Sequence, residues 1–335
     1  MEAGSKSVPV QITEDEAAVY DRQIRLWGLE AQQRMRNATI LVVKLKGVAT
    51  EAVKNIVLAG IGRLVIVDED DVAPEDLGCN FLLRDEDVGK KRAEAAKPRV
   101  ESLNPLVTVE VITSYDVLRP SNIDATLQGV DLVCVTEFDK LSLFELNEAC
   151  RRLNKPFYAG GSYGLLGYIF CDLLQHEYIA PDRSGQKDAP KTSRATVNYC
   201  PLNVALQHKW SGMTRRQTKE LNLHVVFTVL ALWEYQAAHK TLPDDVSAAA
   251  ELQTLATSLL AAAQLNTQAK VAIPEELTTS MATTAAHEFS PVCAVIGGML
   301  AQDILKALAA REPPIANFLT FDGSTGAATV CRMNM

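Results

Sequence analysis

Lys44, Lys46 and Ala49 stand where a nucleotide-binding loop of the G-x-G-x-x-G kind carries its glycines. The stretch Leu41-Val42-Val43-Lys44-Leu45-Lys46-Gly47-Val48-Ala49 follows an apolar run and opens a helical one, the right setting for such a loop. Glycine serves three ends there: the tight turn, close approach of backbone to phosphate, and close packing of helix on strand. Only Gly47, at an additional position, survives. Ala49 still allows helix packing, but the side chain of Lys46 enters the phosphate space. A lysine grips phosphate by charge in a P-loop, yet it does so beside a glycine-built cradle. The expectation is a degenerate phosphate site. Asp68 closes the next strand, about 20 residues on, where an acidic residue can hold a ribose. With the loop degraded and Glu69, Asp70 and Asp71 following, Asp68 reads as a solvated acidic strand end.

The second chemical stretch is Tyr20-Asp21-Arg22-Gln23-Ile24-Arg25-Leu26-Trp27-Gly28. A guanidinium is a forked cation that can stabilise charge developing on phosphate. From the residues alone, Arg22 reads as paired with Asp21 or Glu30 on a solvated helix, and Arg25 as a structural ion-pair residue. The seven cysteines (Cys79, Cys134, Cys150, Cys171, Cys200, Cys293, Cys331) form no C-x-x-C pair, so neither a disulfide framework nor a zinc set is readable. Cys200 invites a nucleophile reading, but a reactive thiol needs a basic or electropositive neighbour and His208 shows no pairing with it. It reads as structural, and Cys134, Cys150 and Cys293 as core. The five histidines (His176, His208, His224, His239, His287) lie far apart with no i, i+4 pair, so no metal is expected. Arg215-Arg216 with Lys209 and Lys219 is a basic cluster, a nuclear import element or contact patch at most and more simply a solvated helix face.

The elements that must position these groups follow from periodicity. Residues 14–36 read as one amphipathic helix with Thr13 as N-cap, an acidic first turn, and Tyr20, Ile24, Leu26 and Trp27 as packing residues. Buried strands are expected at 38–43, 64–67 and 130–135, an alternating one at 107–112, and another opening at Pro156. Helices are expected at 48–59, 90–103 and 141–153, and from Met299 through Ala309, with a closing strand and turn at Phe318–Gly323. Residues 180–195 read as a mobile loop and 203–265 as mainly helical. This alternation predicts an α/β fold, an open doubly wound Rossmann-like sheet, with an inserted helical part.

With 335 residues, 47% of them hydrophobic and 22% charged, the chain has the composition of an ordinary globular protein with a sizeable core. A net charge of −8 speaks against a nucleic-acid binder. The polar start carries no signal core, and the apolar stretches read as too short or too interrupted to span a bilayer. The expected location is the nucleus, and also the cytoplasm.

Several segments carry a family resemblance almost end to end. They are Tyr20–Gly28, the sheet segment 38–68, Val88-Gly89-Lys90-Lys91-Arg92-Ala93, Asn104-Pro105, Pro291–Gly298 with Ala301-Gln302, and Phe321-Asp322-Gly323. In these the chain resembles the ubiquitin-like-protein activating enzymes, whose fold is shared with the bacterial adenylating enzymes of molybdopterin and thiamine synthesis. Its length and short helical insert are similar to those of the smaller subunits of SUMO-activating heterodimers. The resemblance implies that 1–175 with 286–335 form a degenerate adenylation domain, and that 176–285 form an inserted helical part of the catalytic-cysteine domain.

It also implies roles. Family members follow the ribose aspartate with Ser-Asn-Leu-x-Arg-Gln, which contacts ATP; here Glu75-Asp76-Leu77-Gly78-Cys79-Asn80 stands instead. Cys79 cannot replace a forked cation, and Asp76 adds repulsion toward a polyphosphate. The family's distal lysine falls on Arg92 and its magnesium-linked aspartate on Asp139, followed by Lys140 in place of asparagine. Gly47, Asp68, Arg92 and Asp139 are thus remnants of a nucleotide site. ATP and Mg are expected on the partner subunit, with Arg22 reaching across in trans. The implied partners are the catalytic subunit, SUMO and, indirectly, the SUMO-conjugating enzyme. Gly297-Gly298 and helix 299–309 are expected at the dimer face, or to serve a helix start within this chain. The rival readings are a self-sufficient homodimeric adenylating enzyme using Asp68, Arg92 and Asp139, a Rossmann oxidoreductase, and a scaffold without a role for Arg22.

Overall fold

The apolar runs become the middle of a sheet. The computed structural model describes residues 11–181 and 192–335. Its strands are β1 (Thr39–Val43), β2 (Arg63–Val67), β3 (Thr108–Ile112), β4 (Leu132–Thr136), β5 (Phe157–Tyr163), β6 (Leu166–Asp172), β7 (Gln175–Pro181), β8 (Thr192–Asn198), β9 (Phe318–Asp322) and β10 (Ala327–Cys331). Eight of them form one sheet in the order β10-β9-β6-β5-β4-β1-β2-β3. From β3 to β5 neighbours run parallel; β6, β9 and β10 add antiparallel. The chain winds outward from β1 through β2 and β3, then returns to β4 on its other side. The switch point therefore lies between β1 and β4, where folds of this kind open a crevice beyond the strand ends.

The helices are α1 (Glu14–Val19), α2 (Asp21–Trp27), α3 (Leu29–Arg36), α4 (Gly47–Leu58), α5 (Arg92–Leu103), α6 (Ile123–Thr126), α7 (Lys140–Arg152), α8 (Leu202–Ala205), α9 (Arg215–Glu220), α10 (Leu223–His239), α11 (Ala249–Ala262), α12 (Glu275–Thr284) and α13 (Ser290–Ala309). Side chains alternate between the two sheet faces. Ile40, Val42, Leu64 and Ile66 pack with α4, α5 and α13. Leu41, Val43, Val65 and Val67 share the opposite core with α7 and α10. Trp233 of α10 is fully buried there against Tyr168 and Phe318, and its Nε1 donates to the Tyr163 hydroxyl at 2.8 Å.

Several expectations are corrected. Residues 14–36 are three helices, broken at buried Tyr20 and at Gly28, whose φ of 89° suits glycine. Leu26 does not pack: it is 77% exposed. The stretch read as a loop at 180–195 overlaps the antiparallel pair β7–β8, and its residues 182–191 lie outside the described ones. The last long helix begins at Ser290, so Gly297 and Gly298 are internal to it. That 20-residue helix is long and apolar enough to cross a membrane, contrary to expectation, but more than half of its apolar window is buried inside the fold.

Candidate functional site

Three internal groups line the base of the crevice beyond β1, β2 and β4. The first is Arg92. Its Nε donates to Asp68 Oδ2 at 2.8 Å, Nη1 to Asp76 Oδ2 at 2.9 Å, and Nη2 to Asp70 Oδ2 at 2.8 Å. Burial alone would favour loss of its proton, but Asp68 and Asp76 outweigh that and hold its pKa above the ordinary value. Asp68 is fully buried, not solvated as its acidic neighbours suggested. It also accepts from the N–H groups of Leu45 (2.8 Å) and Asp70 (3.1 Å).

The second is Tyr115. Its hydroxyl donates to Asp68 Oδ1 at 3.1 Å, and its ring meets Phe138 edge to face at 5.4 Å between centroids. Burial, then Asp68 and Asp70, raise its pKa. The tyrosine hydroxyl thus uses the carboxylate that would otherwise face a ribose.

The third is Glu288. Its Oε1 accepts the N–H of Gly47 at 2.8 Å, at the opening of α4, where a helix favours negative charge. Lys46 Nζ lies 3.9 Å from Glu288 and 4.0 Å from Asp76. Lys44 takes a left-handed φ of 67° and points its Nζ toward Asp70 at 3.8 Å. A Cβ on Gly47 would meet Cys293 Sγ at 2.9 Å and Cys79 Cβ at 3.0 Å, so this corner has no spare volume.

Glu137 completes the cluster at the end of β4, with φ of 54° and Oε1 accepting the Ser162 N–H at 2.8 Å. Burial, then the negative Glu288, push its pKa up to about 8 against the pull of Lys46 and Lys44. Asp139 caps α7: Oδ1 accepts from the N–H groups of Leu141 (3.0 Å) and Ser142 (3.2 Å), and Oδ2 from the Ser142 hydroxyl. Lys140 bridges to Glu234 of α10 at 2.6 Å.

A nucleotide triphosphate with its magnesium does not fit these residues. The ribose-type acid, the cations, the helix-start N–H and the aspartate at α7 all have partners within the chain. A polyphosphate would also face Asp76, Glu137 and Glu288. The sequence placed Gly47, Asp68, Arg92 and Asp139 in one site. The structure joins Asp68 directly to Arg92 and gives Gly47 to Glu288, while Asp139 serves its own helix. Tyr115, Glu137 and Glu288 were not legible as site residues. Glu288 is 241 residues from Gly47 in the chain and sits in no motif.

Arg22 lies elsewhere. α2 is tied to the end of α4 by Gln23 Nε2 on the Leu58 carbonyl (3.3 Å), and the Tyr20 hydroxyl accepts from Asn104 Nδ2 at 2.8 Å. The Asp21 carboxylate goes to Arg25 at 2.9 Å. Arg22 is exposed, with no ion pair among the described residues, so the expected pairing with Asp21 or Glu30 is absent. Val19, Leu26 and Leu29 stand exposed beside it in sequence.

Cys200 donates to the Met333 carbonyl at 3.2 Å, and burial followed by Asp172 raises its pKa. It is a packed thiol with no base beside it among the described residues. His208 instead interacts with Asn334 at 3.1 Å. Arg215, Arg216 and Lys219 lie on an exposed face of α9.

A doubly wound sheet with a crevice at its switch point and a long helix lying along α4 defines an α/β protein of the Rossmann-like class. The chain belongs to the ThiF family, whose model matches residues 20–335. It is 36% identical to SUMO-activating enzyme subunit 1 of Rattus norvegicus over 95% of each chain, and 34% identical to that of Homo sapiens over 94% of each. It is 34% identical to DNA damage tolerance protein RHC31 of Saccharomyces cerevisiae, over 94% of this chain and 96% of that one. The crystal structure of E. coli MccB with succinimide superposes with a TM-score of 0.55 at 14% identity, over 94% of this chain and 71% of that one. That likeness supports the fold.

Proposed function

We propose that this chain is the non-catalytic subunit of a heterodimeric SUMO-activating enzyme. In the complex, ATP and Mg are held by the catalytic subunit, which adenylates the modifier's C-terminal glycine. The modifier then passes to a cysteine of that subunit, with release of AMP, and on to the conjugating enzyme. This chain contributes Arg22 in trans. Its guanidinium stabilises negative charge developing on the phosphates at the partner's site. The nucleus, and also the cytoplasm, is where such a subunit would work.

One observation carries this reading: Asp68 and the Gly47 N–H are taken by Arg92, Tyr115 and Glu288, while Arg22 stands exposed with no ion pair among the described residues. Phe289 and Val295 at the start of α13 and Leu58 at the end of α4 are also exposed, apolar surface suited to an obligate partner. The inserted helices on the opposite face fit a contribution to the domain around the catalytic cysteine.

The test is ATP–pyrophosphate exchange with and without the purified catalytic subunit and SUMO, for wild type and Arg22→Ala. Exchange is expected only with the partner, and to fall about 100-fold in the variant, as for loss of a charge-stabilising group. Exchange by this chain alone would instead favour a self-sufficient homodimeric adenylating enzyme. An unchanged rate in Arg22→Ala would leave the chain a scaffold.

A further inference from the structure

A cavity of about 250 Å³ opens between α2, the end of α13 and the β7–β8 pair. Its apolar lining is Leu26 and Trp27, Leu305 and Ala309, and Ile179, beside the charged Lys306, Arg311 and Glu312. Arg311 is fixed from behind. Ile179 donates its N–H to the Ala310 carbonyl at 2.9 Å, and Glu312 donates its own to the Ile179 carbonyl at 3.1 Å. A Cβ on Gly28 would lie 3.2 Å from Arg311 Nη2, so the turn between α2 and α3 holds the guanidinium in place.

Arg311 Nε is nevertheless buried without an acceptor among the described residues. An orphaned donor of that kind is costly, and more so on a charged group. The neighbouring charges do not serve it: Lys306 and Glu312 pair with each other at 3.5 Å. The cavity therefore offers apolar side chains beside the Lys306–Glu312 pair, and one cation, Arg311, with no ion pair among the described residues. A phosphate group, with its larger charge and several acceptors, would find too few free donors here. A single carboxylate beside an apolar side chain matches both features.

Leu26, on the cavity's lip, is 77% exposed and follows Arg22 by one helical turn, so the two are neighbours on the α2 surface. We propose that this cavity anchors a segment of the catalytic subunit, one apolar side chain filling it and an adjacent carboxylate accepting from Arg311. The anchor would set α2, and with it Arg22, on the partner. This rests on the heterodimer reading above and adds the anchor's chemistry to it.

The test measures affinity of the full chain for the purified catalytic subunit by calorimetry, alongside the thermal midpoint of the free chain. Arg311→Leu removes the orphaned donor, so it is expected to raise the free chain's midpoint and weaken assembly at least tenfold. Leu26→Asp, at an exposed site, is expected to leave the midpoint unchanged and to weaken assembly similarly. Arg22→Ala is expected to keep assembly within about threefold while losing exchange. Wild type that binds the catalytic subunit while Arg311→Leu and Leu26→Asp bind equally well overturns the anchor alone. Wild type that fails to bind overturns the heterodimer reading and the anchor with it. Self-association of this chain that Arg311→Leu abolishes would make a second copy the occupant and overturn the proposal.

Discussion

Glu288 Oε1 accepts the backbone N–H of Gly47 at 2.8 Å, and so the chain itself places a carboxylate at the opening of α4. An anion is favoured there because the first N–H groups of a helix have no intrahelical acceptor and the helix dipole is positive at that end. In a nucleotide-binding relative of this fold, a phosphate would take that role. Here the contact also ties the segment entering α13 to the segment leaving β1. With Arg92 and Tyr115 on Asp68, it gives the polar groups at the base of the crevice partners within the chain.

The same carboxylate gives the fold a pH signature. Glu137 has its pKa raised from 4.5 to about 8, by burial first and by Glu288 second. Between these two values the folded chain holds a proton that the unfolded chain has lost, so stability falls as pH rises through this window. Asp303, buried and pushed up to about 6, adds a fall of the same sign between its ordinary 3.8 and 6. Glu16, Asp87 and Asp322 have lowered pKa values, so their contribution is lost only in more acidic solution. Glu137→Gln is expected to flatten the profile above about pH 6, an effect on the order of 2 kcal/mol. Glu288→Gln should flatten it in part, because burial of Glu137 remains. Urea midpoints across the range decide this, and a wild-type midpoint equal at about pH 6 and pH 9 would sink the account.

Arg92 sits under three carboxylates, two of them buried with it. Removing one partner of a buried ion pair leaves uncompensated charge and costs about 3–5 kcal/mol. Arg92→Ala is therefore expected to lower the thermal midpoint by roughly 5 °C. Arg92→Lys keeps the charge but not the fork, and should recover only part of the loss. Adding Asp68→Asn and Asp76→Asn to Arg92→Ala removes the stranded charges and should raise the midpoint again. If the triple variant melts below the single one, charge burial is not what the arginine compensates.

Much of the fold was legible because its signals are local. The apolar runs at 38–43, 64–67 and 130–135, which became β1, β2 and β4, and the cap at Thr13 each declare themselves within a few residues. The substitutions in the loop were legible for the same reason, since Lys44 and Lys46 stand in place of glycines at fixed spacing. What was missed depends on distant partners. Asp68 looks solvated beside three acidic neighbours, and only Arg92 and Tyr115, brought in by other elements, bury it. Glu288 has no local mark at all. The break at Tyr20 was hidden in a helical pattern, because it arises where the Tyr20 ring packs on Gly60 and its hydroxyl meets Asn104. The face of a short helix that stays exposed, as at Leu26, depends on which neighbours exist, and periodicity does not name them.

Gly297 and Gly298 are adjacent in α13 but do opposite work. A Cβ on Gly297 would meet Glu51 Cβ at 2.5 Å and the Val48 carbonyl oxygen at 2.6 Å, both on α4. The backbone oxygen cannot swing aside, so Gly297→Ala must push the two helices apart, at a cost of about 1–3 kcal/mol. A Cβ on Gly298 meets nothing within 4 Å. Gly298→Ala gains helix propensity, about 1 kcal/mol. The two alanine variants should therefore shift the thermal midpoint in opposite directions. The pair expected from sequence at a dimer face or at a helix start divides between an in-chain contact and open surface. Gly298 shares that surface with exposed Val295. If the surface is where the catalytic subunit docks, Gly298→Lys should leave the free chain's midpoint nearly unchanged and weaken assembly by tenfold or more. Assembly at wild-type affinity would place the docking face elsewhere on the molecule.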